Sequence, residues 1–190
     1  MTINLKQPLH EWAQALIAVL DTTGLQDNAD ILRVLFADCD GHIQYNQIIQ
    51  PQRLFDPNTA YTGLSEEQLL QSPTLASCWD DIMCYLSGNV VAGFPIEWVV
   101  ARFRENAAHY GLPIIPIVDM CLQRRAQAYF GLSGRLSLQS ACERAGLAFP
   151  RPAYAGERAQ ALCMLLQAIS ENRKAITADT DLGALADRPF

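Results

Sequence analysis

The chain has 190 residues, half of them hydrophobic and 18% charged, with a net charge of −6; this is globular composition and excludes a disordered chain or a general coat for nucleic acid. No apolar run approaches the roughly 20 residues of a membrane span, and the opening residues 1–6 lack the basic start and apolar core of a signal peptide. A cytoplasmic protein with no membrane partner is therefore expected, as one domain over residues 1–175 with a loosely packed tail over 176–190.

Charge is unevenly spread. Residues 1–98 carry 3 basic and 12 acidic side chains, whereas residues 99–158 carry 8 arginines and 4 acids. A basic segment inside an acidic chain suits an anionic ligand, or ordinary helix surfaces. The six cysteines include no C-x-x-C pair and lie at no zinc spacing with His10, His42 or His109, which points to free thiols.

In chain order, residues 7–15 read as a lead-in. Leu16-Ile17-Ala18-Val19-Leu20 is a continuous apolar run ending in Asp21 and a Thr22-Thr23-Gly24 turn, the pattern of a strand buried on both faces. Its acid stands at the rim of the sheet, where open α/β sheets bind ligands. A polar turn over 24–29 leads to a second strand at 31–37. Asp40-Gly41 signals a hairpin into a third strand within 42–50, so the chain opens as an antiparallel meander. Residues 51–63 read as a loop.

Ser65 followed by Glu66 and Glu67 starts a helix. A second helix spans 75–86 behind Pro73-Thr74 and ends at Gly88-Asn89. Val90-Val91-Ala92 is a short buried strand. Pro95 opens a helix to about His109, stopped by Gly111. Ile114 to Asp119 reads as a fifth strand, with Pro116 marking an edge or bulge. Asp119 then caps a helix over 120–130. Helices over 137–145 and 157–174 follow, separated by a Pro-rich loop at 148–154. The order implies a mixed sheet flanked by helices.

Five stretches in register carry a family resemblance. Leu20-Asp21-Thr22-Thr23-Gly24-Leu25 resembles the motif D-x-E-T-T-G-L, and Ile48-Ile49-Gln50-Pro51 resembles "l-V-x-P". Tyr61-Thr62-Gly63-Leu64-Ser65-Glu66-Glu67 with Ser72-Pro73-Thr74 resembles "H-G-I-t-x-e…a-P-t". Asn89-Val90-Val91-Ala92-Gly93-Phe94 resembles "x-V-V-A-H-N", and the stretch from Leu136 to Leu147 resembles "S-L-x-x-L-C-e-r-l-G-I". Over residues 14–170 the chain resembles the DnaQ-like 3′–5′ exonucleases, the DEDD group of the ribonuclease H-like superfamily. The resemblance implies an α/β fold with a ribonuclease H-like mixed sheet, a three-strand antiparallel meander plus parallel strands, flanked by helices.

Such enzymes hold two Mg²⁺ or Mn²⁺ ions on four carboxylates, with a His or Tyr base. Hard cations need those oxygen ligands to cleave a phosphodiester. Matching the motifs residue by residue puts Val19 and Asp21 at the first acidic pair, or Asp21 at the leading aspartate with the glutamate gone. It puts Trp98 at the second-motif aspartate, Ala153 at the histidine and Arg158 at the final aspartate. No catalytic set is intact and no cofactor is expected. Arg158 cannot ligate a cation and is expected to pair with Asp21 instead.

The resemblance thus implies an exonuclease-like domain that has lost hydrolysis and either binds single-stranded DNA or RNA or engages a protein partner. The alternative is an active Mg²⁺- or Mn²⁺-dependent exonuclease using the displaced carboxylates Asp21, Glu97 and Glu157, with Tyr154 as base. On a helix, one residue of displacement turns a side chain by about 100°, so Glu97 and Glu157 read equally as solvated acids. Trp98 offers a base-stacking face or a core ring. Arg102, Arg104, Arg124 and Arg125 are phosphate contacts or surface charge.

Overall fold

Strand β1, Leu16–Thr22, lies at the centre of a five-stranded sheet and alternates cleanly between two cores. Ile17 and Val19 face one helical layer, while Leu16, Ala18 and Leu20 face the other. This follows from the two-residue period of a strand, and it explains why the run is apolar without a break. The structure, a computed structural model, describes residues 15–53 and 59–183, with no side-chain description for 59–60 and 172–183. The expected lead-in over 7–15 lies outside the described residues except for buried Ala15.

The sheet order is β3-β2-β1-β4-β5. Strands β2 (Ile31–Ala37) and β3 (Ile43–Ile48) continue the antiparallel meander from β1. The expected hairpin turns through Gly41, whose φ of 89° suits glycine. Strands β4 (Val90–Gly93) and β5 (Val118–Cys121) add in parallel on the other side of β1. This is the mixed sheet that the order of elements predicts.

Helices α1 (Thr59–Thr62), α2 (Glu66–Leu70) and α3 (Leu75–Leu86) connect β3 to β4. Helix α1 is a correction, because the stretch 51–63 was expected to be loop throughout. The α2 start is a full capping box, with the Ser65 side chain accepting from the Gln68 N–H and the Gln68 side chain accepting from the Ser65 N–H. Thr74 caps α3 more simply, its side chain accepting from the Ser77 N–H. Helix α4 (Ile96–Tyr110) begins after Pro95 and ends at Gly111, which takes the left-handed conformation. Trp79 of α3 and Phe103 of α4 meet edge to face beneath β1 and β2.

Several boundaries differ from expectation. The fifth strand begins at Val118 rather than Ile114, because β4 offers a ladder of four residues, Val90↔Val118 to Gly93↔Cys121. The apolar residues before it serve packing instead: Ile115 and Ile117 lie against the α3/α4 core, and Trp79 donates its indole N–H to the Pro113 carbonyl. Asp119 is consequently a strand residue, not a helix cap. Helix α5 (Leu122–Tyr129) is capped at Cys121. Helices α6 (Leu138–Arg144) and α7 (Ala155–Gly183) complete the second layer, with α7 running past the expected end at Lys174. Among the described residues, no helix is long and apolar enough to cross a membrane.

Candidate functional site

Where β1 ends, its alternation places Asp21 on the same face as Ile17 and Val19, beneath α7. Hydrophobic burial there leaves the Asp21 side chain only 2% exposed. Arg158, in the first turns of α7, donates from Nη2 to Asp21 Oδ1 and, at 3.4 Å, to the Leu20 carbonyl. Arg33, the direct cross-strand partner of Asp21 on β2, brings Nε to 3.6 Å from Oδ2. Among the described residues, Asp21 Oδ2 and the Nε atoms of Arg33 and Arg158 find no hydrogen-bond partner. Burial pushes the Asp21 carboxyl above the ordinary carboxylate range, and the guanidiniums of Arg158 and Arg33 pull it only part of the way back.

A cleft of about 580 Å³ opens over this pair. Asp21 and Arg158 form part of its lining, with Trp98, Ala153, Leu25 and Tyr61 among its other walls. Three of the positions matched to the exonuclease motifs from sequence, Trp98, Ala153 and Arg158, thus converge with Asp21. Val19 does not join them; it is buried in the core beneath α7. Trp98 is half-buried, and the Arg102 guanidinium lies 5.8 Å from its ring centre.

The displaced carboxylates stand elsewhere. Glu97, one helical step from Trp98, pairs with Arg124 of α5 and accepts from the Cys121 thiol at 3.2 Å. Glu157, one step from Arg158, lines a separate groove with Phe149 and Met164. The rotation of about 100° per residue accounts for both. Tyr154 packs its ring against Gly63, where a Cβ would come within 2.8 Å of it. Among the described residues, the one group of three potential ligands within reach of a shared ion is Asp38, Asp40 and His42, at the β2–β3 turn.

The loop after β1 is fixed by Arg102, read from sequence in another role, and by Asn106 and Asp30, which sequence patterns did not single out. Arg102 is a correction to the surface reading: it is 3% exposed and donates to the Gln26 carbonyl, Asp27 and Glu105. Asn106, fully buried, donates to the Ala29 carbonyl and accepts from the Ile31 N–H. Asp30 accepts from the N–H groups of Gln52 and Arg53, from the Arg53 side chain and from the Tyr110 hydroxyl. These hydrogen bonds hold its carboxyl below the ordinary range despite burial. Arg33 carried no sequence signal, because the long connection between β1 and β2 leaves their register open; Tyr61 already lay in a quoted motif stretch.

No protein-family model matches the chain, and no curated protein matches it. Solved structures do. The nuclease domain of 3′hExo, a DEDDh family member bound to rAMP, shares 12% identity at a TM-score of 0.70, over 86% of this chain and 93% of that one. The 3′-exonuclease solved in recognition of a histone mRNA stem-loop shares 11% at 0.69, over 84% of this chain; this chain spans 64% of its length. Cell-death related nuclease 4 shares 13% at 0.69, over 85% and 65%. At these identities the likeness establishes the DnaQ-like, ribonuclease H-like exonuclease fold, in agreement with the mixed sheet and its flanking helices.

Proposed function

We propose that this exonuclease-like domain does not carry out two-metal phosphodiester hydrolysis and instead binds single-stranded DNA or RNA in the cleft over Asp21. The observation that carries the reading is the Arg158–Asp21 ion pair. Two divalent ions need several converging carboxylates to offset their charge. Among the described residues, the cleft presents one carboxylate, already engaged by two cations, with a tryptophan and an alanine at neighbouring positions. The residues therefore do not fit a pair of Mg²⁺ or Mn²⁺ ions, and no chemical step is assigned to them.

The separation of Glu97 and Glu157 from Asp21 weighs against the displaced-carboxylate alternative, as does the packing of Tyr154 on Gly63. Nucleic-acid binding draws support from the fold neighbours solved with an RNA stem-loop and with rAMP. It also suits the cleft walls, where Trp98 and the 77% exposed Tyr61 offer faces for bases.

The test incubates 3′-labelled single-stranded DNA and RNA with Mn²⁺ and the protein, beside Asp21→Ala. The expected result is intact substrate in both, with a mobility shift that weakens as salt rises. Progressive shortening that disappears in Asp21→Ala overturns the reading.

A further inference from the structure

We infer that the cleft binds a phosphate group directly through Arg158, so that its affinity for a strand needs no divalent cation. The inference rests on the nucleic-acid-binding reading and specifies how the strand is held. Its first support is charge. Asp21 faces two guanidiniums, Arg158 and Arg33, so the ionised cluster retains one positive charge beside the cleft.

The second support is geometry. Arg158 both lines the cleft and stays 30% exposed, whereas its partner carboxylate is buried. Both side-chain hydrogen bonds it makes among the described residues use Nη2. A guanidinium carries five N–H donors in a planar fork. Asp21 therefore fixes Nη2 and sets the orientation of the fork; Nε is buried, and Nη1 is left preorganised for a second oxyanion.

The third is the shape of the surroundings. The volume of about 580 Å³ falls in the range of small-ligand sites. Trp98, backed by Arg102, and exposed Tyr61 and Leu25 supply apolar faces around the charged floor. A phosphate with an attached aromatic base matches that division into charged floor and flat walls.

Fluorescence anisotropy of 5′-labelled single-stranded DNA and RNA tests this with the full chain. Affinity is expected to agree within about twofold in EDTA and in Mg²⁺, beyond the ordinary effect of ionic strength. Arg158→Gln should weaken binding roughly tenfold, the loss of one charge-assisted contact. Asp21→Asn/Arg158→Gln should weaken it equally while avoiding an unpaired buried carboxylate, which separates lost binding from lost folding. Arg144→Gln, on the exposed end of α6, should stay within roughly twofold. Inorganic phosphate should compete with the strand for wild type.

Binding that appears only with Mg²⁺, or that is unchanged in both Arg158 variants, overturns the inference and leaves the nucleic-acid reading standing. No binding of either strand in any buffer overturns both.

Discussion

Two buried aspartates lie near the same end of the sheet and behave oppositely. Asp30, just before β2, is 2% exposed, and Asp21, at the end of β1, is 3% exposed. Asp30 accepts from two backbone N–H groups, a tyrosine hydroxyl and an arginine, and its carboxyl lies below the ordinary range. Asp21 has arginines alone, one oxygen without a hydrogen bond, and a carboxyl above that range. With similar exposure, the two differ because Asp21 is more closely enclosed by protein, while Asp30 receives more hydrogen bonds to its charged form. A carboxylate that ties a loop down is saturated; one at the floor of a cleft is left partly unsatisfied, as groups at ligand sites often are.

The strongest way to break this comparison is Asp30→Ala. It strips partners from Gln52, Arg53 and Tyr110 together, and a loss of about 3 kcal/mol or more in urea unfolding is expected. A cost below that of an ordinary surface substitution would mean Asp30 does not anchor the loop.

Arg158→Ala comes next. It leaves Asp21 buried with only Arg33 at 3.6 Å, for an expected loss of about 2 kcal/mol. Adding Asp21→Asn in the same chain should recover most of it, since the cost lies in the unpaired carboxylate. Failure of that rescue would show that Arg158 acts through packing.

The smallest effect sharpens the contrast through pH. A raised folded-state value means that the folded chain holds its proton more tightly than the unfolded one. Asp21 thus adds stability that is full below the ordinary carboxylate value and is lost as pH rises through the folded value. Asp21→Asn should then equal or exceed wild type at neutral pH by less than about 1 kcal/mol. Its advantage should shrink on acidification toward the ordinary carboxylate range. Asp30 runs the other way, with its stabilisation present above that range and lost as pH falls through the depressed value. Chemical denaturation of wild type and both variants across acid to neutral pH distinguishes the two signs.

The fold was legible because its signals are local. The apolar run of β1, the capping residue Ser65 and the stop at Gly111 act within one or two turns of chain, and the structure puts elements there. The error at Ile114 has the same root. An apolar stretch announces burial, but whether burial means a strand depends on how much of β4 is there to pair with it.

The sequence by itself determined the order of the main strands and helices and the mixed sheet, and the resemblance aligned Trp98, Ala153 and Arg158 with an aspartate, a histidine and an aspartate of the motifs. Only the tertiary structure decided that Arg33 joins Arg158 on Asp21, that Arg102 is buried, and that Asp30 ties the segment at 52–53 to α4. Those contacts link residues from 12 to 137 positions apart in the chain. Charge pairing at such separations leaves no periodic trace in a sequence, because it is set by which faces the packed sheet and helices bring together.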